Sequence, residues 1–427
     1  MRKVSGFFLA FAALLLSPPP LLSETLTESN WLDMTVGFKP DSSVLGGLKA
    51  GDIIDKSNMA KAKEAIPKPI QVLIEKYGLK LPLRDYAPIL PSKNYISATN
   101  QYSGLVKLVD TGNDTKKNGI EGYVAGLPFP KPQNGTEVAW NYHYMYEGDN
   151  FHMDFKVFWV NPSRGVERSQ VWEWFNVRRA LNRTELEPKP AIPEFLSRNI
   201  RSSSLVNAKE PFDVSGLRQL YYNYNSPRDN TQWVYVPSLR RTIQLSYGQR
   251  GDAWNSTDLL IEDVRGYDGF IEWQDWKLIG KKTMLGSFHT DLPNTPDGYK
   301  GIMDLENPPY VNLTVNWEPR PVYVVEATSK FTHYPYSRMV FYVDAETFRI
   351  IAKEGYDRKG DLWRTLVQVF NEREKGQPVD FRIEHTVDHK INHATLFYGW
   401  NWRYNNPSFK PSDFTLSALR SKTGRGN

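Results

Sequence analysis

Between residues 320 and 370, apolar and β-branched runs follow one another with only short turns between them. Residues 321–328 and 339–343 read as strands, Asp344-Ala-Glu-Thr as a turn, and 348–353 as a third strand. Residues 356–360 (YDRKG) turn again into a fourth strand at 361–370. Connections this short have no room for a crossover helix, so successive strands must pair antiparallel. The aromatic complement of 13 Trp, 23 Tyr and 21 Phe suits such a sheet, because aromatic side chains favour strands and supply broad amphipathic surfaces. The expected fold is mainly β, a β-rich α+β chain. It has one continuous antiparallel sheet, with helices and long loops packed on it and an aromatic-lined groove.

The same period of two begins near residue 119. Residues 138–147 (VAWNYHYMYE) and 152–160 (HMDFKVFWV) read as strands joined by a hairpin at Gly148-Asp149-Asn150. Residues 170–176 and 218–224 continue the series, with Pro188, Pro190 and Pro193 marking a loop between them. Upstream, residues 24–118 are mixed. Ile66, Ile70, Leu73, Ile74 and Tyr77 recur at helical spacing and Gly78 follows as a stop, which predicts a helix over 67–77. No internal repeat or linker interrupts the chain. Residues 24–427 are therefore expected to form a single domain, with 24–118 packed on the sheet.

Residues 1–23 have another character. Arg2 and Lys3 precede an apolar stretch from Val4 to Leu16, Pro18 to Pro20 end it, and Ser23 is small. This is the layout of a cleaved export signal, too short to span a membrane comfortably. Cleavage near Ser23 and Glu24 predicts an exported protein. Losing Arg2 and Lys3 lowers the formal net charge of +5 by two, and no basic block remains to track phosphates, so nucleic acid is not an expected partner. With no cysteine, disulfides, thiolate catalysis and Cys-ligated zinc are excluded.

Three of the seven histidines, His385, His389 and His393, fall at spacings of four. On a helix such spacing could hold zinc. Residues 379–392 instead alternate strictly: Phe381, Ile383, His385, Val387, His389 and Ile391 on one side, Arg382, Glu384, Thr386, Asp388, Lys390 and Asn392 on the other. That pattern predicts a half-buried strand with a charged outer face. Strand residues four apart lie roughly 13 Å from each other, whereas Zn–N bonds are about 2 Å. No shared metal is expected, nor any other cofactor. The histidines mark the inward face, as core side chains or as polar anchors in a groove.

No G-x-S-x-G elbow, phosphate loop or dinucleotide fingerprint is present, and no catalytic residue is assigned. Asp258, Glu262 and Asp263 read as carboxylates on an exposed loop or strand edge, and Lys281-Lys282 as a solvated turn. WVYVPSLRRTIQL (233–245) reads as a hairpin, Pro237 setting its turn. Arg240 and Arg241 would then lie on opposite faces. Trp273 and Trp276 suit either a groove lining or core packing.

This hairpin, with DWKLIGKK, RPVYVVEA, YPYS, YDRKGDLW and DFTLSAL, resembles a bacterial periplasmic family catalogued as domain of unknown function 1329, outer-membrane lipoprotein-sorting-like. The strand–P-x-L-R-R–strand hairpin and the acidic S-T-D-L-L-I-E-D stretch are more distantly similar to LolA/LolB-like carriers. That resemblance implies a strongly curved antiparallel sheet forming an open half-barrel, with helices inside its concave face and a cavity that accepts acyl chains. It also implies a partnership with a resistance–nodulation–division type exporter of the inner membrane and an outer-membrane protein.

The expected function is a periplasmic carrier or binding protein, not an enzyme, for a hydrophobic or lipid-like ligand. The alternative is a periplasmic carbohydrate-binding protein or glycan-processing enzyme, which would need many polar groups beside its aromatic platforms. A third possibility is a structural adaptor with a self-filled groove. Strand parity and the resemblance nominate Trp233, Tyr235, Arg241, Trp273, Trp276, Phe381, Ile383, His385 and His389 as cavity-lining residues.

Overall fold

The computed structural model describes residues 24–228, 230–245 and 251–421; the expected export signal, residues 1–23, lies outside them. One antiparallel sheet of thirteen strands organises the chain. A first meander comprises β1 (Asn150–Asn161), β2 (Gly165–Arg179), β3 (Ile200–Glu210), β4 (Arg218–Tyr224), β5 (Thr231–Val236) and β6 (Arg241–Leu245). The second comprises β7 (Gln274–Gly286), β8 (Glu318–Ser329), β9 (Arg338–Asp344), β10 (Ile350–Tyr356), β11 (Leu362–Asn371), β12 (Asp380–Asp388) and β13 (His393–Tyr404). The order across the sheet is β6-β5-β4-β3-β2-β1-β13-β12-β11-β10-β9-β8-β7. The first meander thus runs from the middle to one edge. The chain then crosses to the opposite edge and returns until β13 pairs with β1. The edge strands β6 and β7 do not pair with each other, so the sheet is open, as expected.

Local chemistry sets the hairpins. Between β9 and β10, Asp344 Oδ1 accepts from the Thr347 backbone N–H at 2.9 Å and from its hydroxyl at 2.7 Å. Between β10 and β11, Asp357 Oδ1 accepts from Lys359 N–H at 2.8 Å while Gly360 takes φ +86°. Both are turns closed by an aspartate side chain.

Helix α1 (Lys68–Tyr77) lies over β10 and β11. It ends where expected: Gly78 at φ +73° donates its N–H to the carbonyls of Ile74 and Leu73. Helix α2 (Lys93–Tyr102) starts at Ser92, whose Oγ accepts from Tyr95 N–H. Segment 287–317 joins α1 in covering one face of the sheet: Phe288 stacks on Phe370 and Tyr299 meets Phe158.

Three expectations are corrected. Residues 138–147 are not a strand, and no hairpin joins them to β1. Helix α3 (Gly135–His143) occupies most of the stretch, capped by Asn134, whose side chain accepts from Glu137 N–H. Val138, Ala139, Trp140, Asn141 and Tyr142 are all buried, so no polar face exposes the helical period. Next, the strand expected over 379–392 stops at Asp388; residues 389–392 form the turn to β13, and Ile391 is 68% exposed rather than inward. Its opposite face is also no charged exterior, because Arg382, Glu384, Thr386 and Asp388 are all buried. Finally, Lys281-Lys282 lie within β7 rather than in a turn.

Candidate functional site

The chain from the first edge of the sheet to the second passes over the face opposite α1. Residues 251–273 of this crossover are held there by buried acids. Asp263 Oδ1 accepts from Lys353 Nζ at 2.5 Å and Oδ2 from the Tyr336 hydroxyl at 2.6 Å. Glu262 accepts from the Tyr334 hydroxyl at 2.7 Å. Asp258 meets His393 Nδ1 and the Thr395 hydroxyl, each at 2.7 Å. The expectation that these three carboxylates are exposed is therefore corrected: all are buried and paired. They anchor the crossover, which leaves a gap between itself and the sheet.

That gap is a cavity of about 450 Å³. Its apolar wall comes from alternate residues of central strands: Phe155 and Val157 on β1, Phe175 and Val177 on β2, and Phe397 on β13. A bulge in β2 opposite residues 153–155 turns both Trp172 and Phe175 to this face. Trp254 closes the crossover side, its ring centroid 6.4 Å from Phe155 and 6.3 Å from Trp172.

One end of the cavity is charged. Arg179, the last residue of β2, pairs with Ser202 near the start of β3, so Arg179 and Arg201 enter from adjacent strand ends. Glu147, buried just beyond α3, accepts from Arg179, Arg265 and Arg349, the last at 2.6 Å. Burial, reinforced by Arg349, pulls the Arg265 guanidinium down to about 10. Arg201 Nη1 donates to His143 Nε2 at 2.8 Å. Burial and then the charge of Arg201 hold this imidazole well below its ordinary range, leaving a neutral acceptor. On the β12 side Glu384 lines the cavity, its carboxyl pushed up to about 8 chiefly by burial despite a 2.5 Å hydrogen bond from Gln368.

Of the residues nominated from sequence, Phe381 lines this cavity. Trp233 and Tyr235 share a face, but it is the other one, where they pack with Phe414 and Leu419. Gln232 lines the cavity in their place. Arg241 is exposed on edge strand β6. Trp273 and Trp276 are core residues: the first donates to Thr115 O at 3.0 Å, the second packs on Tyr267 and Phe341. Ile383 and His385 face the α1 side, and burial pulls His385 down to about 4, where Nε2 donates to Val311 O at 2.8 Å. His389, in the turn after β12, meets the Thr365 hydroxyl at 2.9 Å. The three histidines thus go to three separate places. Arg179, Arg201 and Glu147, by contrast, carried no sequence signal, since only the strand register brings them together.

A Pseudomonas aeruginosa protein, Uncharacterized protein PA3922, is 26% identical over 339 residues, 76% of this chain and 70% of that protein. A DUF1329 family protein from Desulfovibrio piger is 19% identical with a TM-score of 0.46, covering 67% of this chain and 97% of that one. LolA superfamily protein NE2245 from Nitrosomonas europaea is 15% identical with a TM-score of 0.40, covering 67% of this chain and all of its own 100%. The model of the family described as Protein of unknown function (DUF1329) matches residues 53–420, and the chain belongs to that family.

Proposed function

We propose that the chain is a periplasmic binding or carrier protein for a lipid-like ligand rather than an enzyme. The observation that carries this reading is the cavity of about 450 Å³ walled by Phe155, Val157, Phe175, Val177 and Phe397. That volume lies within the usual range for small-molecule sites, roughly 300–1,000 Å³. Water enclosed against such a wall gains little from it. An acyl chain replacing that water gains about 25 cal/mol for each Å² of apolar surface buried. No helix among the described residues is long and apolar enough to cross a membrane, which suits a carrier working between membranes. The cavity lies between sheet and crossover, so delivery would require the crossover to shift or an acceptor to compete for the ligand. An inner-membrane exporter and an outer-membrane protein are the partners this role calls for.

The test is organic extraction and native mass spectrometry of the protein purified from its own cell envelope. A co-purifying lipid at near-stoichiometric amount is the expected result. A protein that carries none, and binds no hydrophobic probe after delipidation, rules the carrier reading out. Selective binding of oligosaccharides would favour the glycan alternative.

A further inference from the structure

The cavity is polarised along the strands, and its charges do not cancel. On β2 the inward residues run from Arg179 through Val177 and Phe175 to Trp172. At about 3.3 Å per residue this spans roughly 20 Å from a cationic end to an aromatic one. At the cationic end Glu147 is shared by Arg179, Arg265 and Arg349. Asp268 also lines the cavity and acts on Arg265. Among the groups that line the cavity, Arg179, Arg201 and Arg265 thus stand against Glu147 and Asp268; outside the lining, Asp380 acts on Arg349 and Glu272 on Arg201. Glu384, with its raised affinity for a proton, adds little negative charge at neutral pH.

Arg201 is the distinctive group. A register shift between Ile200 and Ser202 makes it a bulged residue, and both Arg201 and Ser202 border the cavity. Among the described residues no carboxylate pairs with it. Its polar neighbour is the neutral His143, and its Nε is buried without a protein partner. A half-buried guanidinium with no carboxylate at ion-pair distance, and with Glu272 acting on it only from further away, favours an anion.

We propose that the cavity takes a single-chain amphiphile with an anionic head, carboxylate or phosphate. The head sits on Arg201 and the chain runs along β1 and β2 toward Trp254. The inference rests on the lipid-carrier reading and narrows it. The volume agrees with one chain: about 450 Å³ gives room for a long acyl chain along the strands.

The experiment uses delipidated full-length mature protein. Parinaric acid and its methyl ester are titrated by fluorescence, and palmitate and hexadecyl phosphate then compete for the bound acid. The acid is expected to bind at least about tenfold more tightly than the ester, the discrimination a charge-assisted hydrogen bond supplies. Arg201→Gln should remove most of that difference by weakening the acid alone, and Arg201→Lys should restore part of it. Whichever competitor is stronger identifies the head as carboxylate or phosphate. Equal binding of acid and ester by the unmodified protein overturns the proposal while leaving a lipid carrier standing, and needs no variant to fold. If neither probe binds, the carrier reading itself fails.

Discussion

Lys353 on β10 donates from Nζ to Asp263 Oδ1 at 2.5 Å, and this buried pair ties the crossover to the sheet. Both side chains are almost fully out of water, so removing one partner strands a charge rather than merely losing an attraction. Lys353→Met should cost about 3–5 kcal/mol, read from the urea midpoint at pH 7. A loss below about 1 kcal/mol, the worth of an exposed pair, would contradict the anchoring role.

His289 bridges Glu318 and Glu372, at 2.9 and 3.1 Å. Burial opposes its charge, and so does the neighbouring Arg320. Hydrogen bonds that the imidazole donates to the two carboxylates outweigh both and raise it from 6.5 to about 9. A histidine that titrates higher when folded adds stability that is complete below pH 6.5 and disappears as pH rises through 9. Its worth is on the order of 3 kcal/mol. Denaturant midpoints between pH 6 and 9.5 should fall more steeply for the unmodified protein than for His289→Gln. Parallel curves would show that the imidazole is not charged in the fold.

Glu384 gives a second dependence, at the cavity itself. Burial, helped by Asp263, raises its carboxyl to about 8, so the folded protein keeps a proton that the unfolded chain releases near pH 4.5. Stability is therefore lost progressively as pH climbs from 4.5 to 8. Glu384→Gln removes that loss: its melting temperature should match the unmodified protein at pH 4 and exceed it at pH 8. An unchanged gap across this range would mean that the carboxyl is ionised throughout.

The meander was legible because its information is local. Asp344, Asp357 and Gly360 close turns within a few residues, and the strands between them carry their own pattern. Helix α3 was not, because buried surroundings erase the helical period; only Asn134 and Glu137, one cap, announced it. On β12 the alternation placed Ile383 and His385 together, but a register shift turns Phe381 to the cavity with Glu384 and Arg382 to segment 287–317, and parity could not reveal that this segment and the crossover bury both faces. Trp233 and Tyr235 share a face as expected, yet parity alone does not say which face turns inward. The cationic end of the cavity lies further still from sequence reasoning. Glu147, Arg179, Arg201 and Arg265 come from separate elements, and they meet only through the register of β2 with β3 and the path of the crossover.

Val157 offers the most direct test of the cavity's role. It is 1% exposed, sits in the middle of β1, and points into the cavity between Phe155 and Phe397. In a close-packed core, enlarging a buried valine forces neighbours out of place, typically for about 1–3 kcal/mol. Here the added ring has empty volume to enter, so Val157→Trp should cost less than that while occupying the space an acyl chain needs. The expected outcome is a melting temperature within a few degrees of the unmodified protein and a loss of hydrophobic-probe binding of about tenfold or more. Val160, three residues further along the same strand and so on its opposite face, is fully buried and supplies the contrast. Val160→Trp should destabilise strongly, because no cavity receives it. If Val157→Trp keeps full affinity for the probe, the ligand does not reside between the sheet and the crossover.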